Sequence, residues 1–187
     1  MSTRNDYTVA EWELVRRAPA ESVIAIEQAS PSGFWGKRQE RKAALRSFDE
    51  TIAQHAGLEL CDAIVAARDE EGPLVDALRA GGESFVERAV ETARGARLAI
   101  EAKGTPPELD AYVSAILVAC EAVARASGEG NLSSNTSEAE ALLLRWLAGA
   151  LGRPAYEPPP SGAIAIPGQI GLGSSGDTAA DAPIKRD

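Results

Sequence analysis

The stretch Thr105–Ala126, TPPELDAYVSAILVACEAVARA, limits what this chain can fold into more than any other, because almost every position is committed to one helix. Thr105 suits an N-cap, Pro106 brings a pre-set φ to the first helical position, and Glu108 stands where a capping box places its carboxylate. Beyond them Leu109, Tyr112, Val113, Ile116, Leu117, Cys120, Val123 and Ala124 recur at the three-and-four spacing of one broad apolar face. Ala111, Ala115, Ala119 and Ala122 fill much of the remainder, so neighbours can approach on more than one side. The spacing predicts the central helix of an all-α domain.

The rest of the chain agrees with that class. Aromatic residues make up only 5% of the sequence and alanine is abundant, which favours closely packed helices over sheets. No β-branched run with period-two alternation is present to suggest a strand. The formal charge of −9 argues against nucleic acid, since phosphate binding needs a dominant basic face. Cys61 and Cys120 fall on apolar helical faces and read as two core residues. The N-terminal stretch MSTRNDYTVAEW lacks an apolar signal core, and no segment approaches the ~20 apolar residues of a membrane span. A cytoplasmic location is the expectation.

Taken in order, residues 1–8 form a polar, frayed N-terminus. Thr8 and Glu11 make a capping box and Tyr7 with Trp12 a hydrophobic staple, so a helix starts near Val9. Pro19 interrupts it or starts a second segment reaching about Ala29. A long helix over 36–56 stops at Gly57, and another runs from Leu58 to about Glu70. A short helix over 74–80 precedes an amphipathic one over 83–103. The last is announced by the capping box Ser137–Glu140, with Leu142, Leu143, Trp146, Leu147 and Leu151 as its buried stripe. The expectation is a compact bundle of about six to eight helices over residues 9–152. Residues 153–187 hold six prolines and five glycines, too many to continue a helical pattern, and read as a disordered tail.

Signs of chemistry are few. His55 is the only histidine and lacks the carboxylate at i−3 that a di-iron bundle uses. There is no Walker-type loop and no metal-spaced cysteine or histidine set, and GLGSSG near the C-terminus has the glycine spacing of a dinucleotide fingerprint but neither follows a strand nor opens a helix. No catalytic residue and no cofactor are assigned, and the chain reads as a non-enzyme. Lys37, Arg38, Arg41, Lys42 and Arg46 form a basic stripe, which suits an anionic partner or, the preferred reading, internal pairing with Asp69, Glu70 and Glu71. Phe34 and Trp35, beside the Ser30–Gly33 turn, read as core aromatics.

A faint repeat joins the two halves. Ala29-Ser30-Pro31-Ser32-Gly33 and Ala126-Ser127-Gly128-Glu129-Gly130 share an A-S-x-x-G pattern, each after an apolar helix and each before a helix with early glutamates (Glu40; Glu138 and Glu140). This arrangement resembles the tellurite-resistance TerB-like domains, compact all-helical modules, over about residues 9–152. The resemblance implies a bacterial module working through protein contacts in stress- or envelope-related assemblies. It also implies a divalent-metal alternative, for which Glu40, Glu138 and Glu140 are the candidate ligands. The family's loop aspartate is replaced here by Ser30 and Ser127, which removes the hard, charged oxygens that such a cation needs. Those glutamates also serve as helix N-terminal acids.

One island in the tail, residues 163–172, is apolar. Ile164, Ile166, Ile170 and Leu172 are the candidate partner-binding residues, since an extended segment of this kind adds to a sheet edge or fills a groove. The island resembles the C-terminal loading peptides by which cargo docks inside bacterial encapsulin shells, although those end the chain and this one does not. Folding back onto the helical body is the competing reading. The function expected is that of a protein-binding helical module, or of a client protein docking through its tail.

Overall fold

A computed structural model describes residues 2–29, 44, 46–67, 85–128 and 137–158. After a 3-10 turn at Arg4–Asp6, the elements are α1 (Val9–Ala29), α2 (46–53), α3 (Glu59–Ala66), α4 (Phe85–Lys103), α5 (Pro106–Gly128) and α6 (Glu138–Ala150). Every regular element among the described residues is helical, and the fold is an all-α bundle. Several expectations lie outside the described residues: the helix over 74–80, Phe34 and Trp35, the basic stripe apart from Arg46, its proposed partners Asp69–Glu71, and the tail beyond Pro158.

α5 is central, packing against α1, α3, α4 and α6. Its buried residues run round more than one side, from Ala111, Tyr112 and Val113 to Val123 and Ala124, as its alanines lead one to expect. Leu109 is only partly buried, at the edge of the core. Cys61 and Cys120 are free and buried. Burial, with Asp62 and Glu108 adding negative charge, pushes the Cys61 thiol up to about 11, and burial pushes the Cys120 thiol up as well. Both therefore stay protonated packing groups rather than nucleophiles.

α1 is one continuous helix with Pro19 inside it, not the two segments expected. A proline has no N–H, so the carbonyl of Val15, four residues earlier, loses its helical donor. The Tyr112 hydroxyl, from the second turn of α5, replaces it, donating to the Val15 oxygen at 2.8 Å. α1 and α4 approach closely at Gly95, where a Cβ would stand 3.0 Å from Leu14 Cδ1.

The N-terminus is also tied down rather than frayed. Thr3 and Asp6 form a capping box of their own, Tyr7 is buried, and its ring lies 5.9 Å from that of Trp12. Ser2 is fully buried because Glu108 holds it: the Ser2 backbone N–H donates to Glu108 Oε1 at 2.9 Å. The same carboxylate accepts from Leu60 N at 3.3 Å and from Thr105 N and Oγ1 at 2.8 and 2.9 Å. What spacing identifies as a local cap is thus a fully buried junction of the N-terminus, the start of α3 and the start of α5. Desolvation alone pushes the Glu108 carboxyl up. The donors from Ser2, Thr105 and Leu60 outweigh it and hold the group below the usual carboxylate range.

Candidate functional site

Along α5, Ser114, Leu117, Val118 and Glu121 follow the i, i+3, i+4, i+7 rule and share one side. Facing them is a short strap, residues 152–156, and between the two lies a groove of about 530 Å³. The volume falls within the ~300–1,000 Å³ of ligand-binding clefts. Leu117, Val118, Pro154, Ala155 and Tyr156 give it apolar walls.

The strap is where it is because α6 ends sharply. Gly152 adopts φ +83°, Gly152 N–H bonds the Gly149 carbonyl at 3.1 Å, and Arg153 N–H bonds that of Ala148 at 2.7 Å. These are the two bonds of a Schellman stop, and they turn the chain back across α5. Two side-chain contacts then pin it: the Arg153 guanidinium pairs with Asp110, and the Tyr156 hydroxyl donates to Glu121. Burial, then the Glu121 charge, push the Tyr156 hydroxyl far above its ordinary value, so it remains a donor. Residues 153–156, which composition places in the tail, lie against α5.

The charged groups of the groove, Arg153 and Glu121, are engaged in holding the strap, and Glu121 is also 3.5 Å from Arg125. Among the described residues, no histidine or cysteine lines it. Another polar knot lies on α1, where fully buried Glu21 accepts two bonds from Arg17 at 2.6 and 3.1 Å and has Arg88 at 3.9 Å. Arg88 also stacks 4.6 Å above the Phe85 ring, which accounts for this cluster as an anchor between α1 and α4.

Of the candidate ligands, Glu140 is buried and its carboxylate accepts the Ser137 backbone N–H at 2.7 Å. Glu138 is exposed, and two positions apart on a helix do not face each other. Glu40 lies outside the described residues, as do Ile164, Ile166, Ile170 and Leu172. Among the described residues no group of three His, Cys, Asp or Glu is arranged to hold a metal ion. His55 sits half-buried in the turn after α2, and Arg46 is exposed.

The buried stripe of α6 is rotated from the one expected. Leu143, Leu144, Leu147 and Leu151 are buried, whereas Leu142 and Trp146 are 48% and 54% exposed, one turn apart on the outer face. The groove itself escaped sequence reasoning. Its only signal was the pair Gly152–Pro154, which reads as a stop and says nothing of where the chain goes next.

No family model, no curated protein and no solved structure matches this chain. Fold and site together define a class: an all-α bundle with a largely apolar groove between its central helix and residues 152–156. Among the described residues, no helix is long and apolar enough to cross a membrane.

Proposed function

We propose that this chain is a non-enzymatic, cytoplasmic helical module that works through protein–protein contacts. Its C-terminal arm, residues 159–187, is the binding segment, with Ile164, Ile166, Ile170 and Leu172 as the residues that engage the partner. The observation that carries this reading is the pinned strap. A Schellman stop and two side-chain contacts, Arg153–Asp110 and Tyr156–Glu121, hold residues 152–156 on α5 and define where the arm leaves the body. A bare linker needs no such anchorage and no isoleucines, whereas a recognition segment gains from a fixed origin. An extended apolar segment recognises a sheet edge or a groove on its partner, with main-chain bonds for affinity and side-chain pockets for specificity. The TerB-like resemblance supports a stress- or envelope-associated assembly as the setting.

The experiment is a transfer. Residues 159–187 are fused to an unrelated soluble carrier, alongside the same fusion with Ile164, Ile166, Ile170 and Leu172 changed to Ser. The expected result is that a partner captured by the full chain is also captured by the first fusion and is lost from the second. The reading is overturned if both fusions behave like the carrier alone while the full chain lacking 159–187 keeps every interaction.

A further inference from the structure

We infer that the groove between α5 and the strap is the docking site for this chain's own island, with Ile164 and Ile166 seated against Leu117, Val118 and Tyr156. The occupant follows from reach. The described chain stops at Pro158, two residues beyond the Tyr156 that forms the groove wall. Ile164 follows six positions later, a span of at most ~20 Å. Pro158, Pro159 and Pro160 favour a stiff extended run of roughly 9 Å, and Ser161-Gly162 is a turn pair that allows a return. A tether of this length is enough for the first isoleucines to reach the wall from which it starts.

The shapes also agree. In an extended segment, residues two apart lie on one side at a spacing of roughly 7 Å. The α5 face from Ser114 to Glu121 rises about 10 Å over seven residues, long enough for Ile164 and Ile166 side by side. The groove takes apolar matter because its walls are apolar and its charged groups, Arg153 and Glu121, are already paired at the rim with Asp110 and Tyr156. A short flexible tether gives an effective concentration of about 1 mM, so an intrinsic affinity of only about 0.1 mM keeps the island docked roughly nine-tenths of the time. An outside partner would then meet an arm free about one-tenth of the time and bind with about tenfold weaker apparent affinity. That consequence rests on the partner-binding reading above. The docking does not.

Amide hydrogen exchange on the isolated full chain tests it. Residues 163–172 should exchange about tenfold slower than an unstructured peptide, equally at high and low protein concentration. Val118→Asp, which places a charge in the groove, and Ser114→Trp, which fills it, should each abolish that protection with helix content unchanged; the second covers the case where the first does not fold. Ile164→Ser with Ile166→Ser should do the same from the arm's side. Exchange at the unstructured rate in the unaltered chain overturns the inference, as does protection that survives both groove variants. Protection that disappears on dilution, with a dimer in sedimentation, overturns it by assigning the groove to a second copy's arm. The carrier fusions lack the groove altogether, so their failure and this one are separately visible.

Discussion

A single missing N–H governs the contact between α1 and α5. Pro19 leaves the Val15 carbonyl without its helical partner, and the buried Tyr112 hydroxyl takes its place at 2.8 Å. Each group answers the other's need, because a buried carbonyl and a buried phenol both cost free energy when left unpaired. Tyr112→Phe should therefore cost about 1–3 kcal/mol in chemical denaturation. In a Pro19→Ala background the restored N–H can serve Val15, so the cost of the same change should fall. Equal costs in both backgrounds would show that the proline and the tyrosine are independent.

At the scale of elements, α6 shows how little separates two readings of one helix. Leucines at 142, 143, 144, 147 and 151 and Trp146 supply more apolar positions than one face can hold, and spacing alone does not choose among them. Packing against α1, α4 and α5 turns Leu143, Leu144 and Leu147 inward and leaves Trp146 outside. Leu147→Ala should cost ~2–5 kcal/mol. Trp146→Ala, at a residue 54% exposed, should stay within roughly 0.5 kcal/mol of the parent. A reversed order in urea denaturation would restore the stripe with Trp146 inside.

For the whole molecule, acid is the informative perturbation. Glu11 caps α1 through Thr8 and reaches across to Lys103 at the end of α4. The Lys103 hydrogen bond, then those from Thr8, lower its carboxyl from 4.5 to about 2. A depressed carboxyl contributes stability that is complete above its unfolded value and lost as pH falls through its folded one. The advantage of the parent over Glu11→Gln should thus be constant above about pH 5.5 and shrink as pH falls from about 4.5 towards 2. A difference independent of pH across that range would mean that neither the Lys103 contact nor the Thr8 cap holds the carboxylate in solution. Glu108 acts in the same direction, since its carboxyl is also lowered, and it joins three parts of the chain at once.

How far the sequence reaches depends on the range of the interaction. Capping boxes at Thr8–Glu11, Thr105–Glu108 and Ser137–Glu140, the Tyr7–Trp12 staple and the stop at Gly152 were legible because each is completed within a few residues. The all-α class and the central place of α5 follow from the same local spacing. Everything decided by distant neighbours was not legible. Pro19 is an interruption until Tyr112 arrives from α5, Glu108 is a cap until Ser2 and Leu60 converge on it, and Trp146 is core until packing rotates α6. The groove belongs to the second kind, since its two walls are strangers in sequence and stay together because Arg153 and Tyr156, past the turn at Gly152, find Asp110 and Glu121. Local hydrogen bonds and helical period are properties of a segment, whereas burial is a property of the assembled bundle, and only the tertiary structure assigns it.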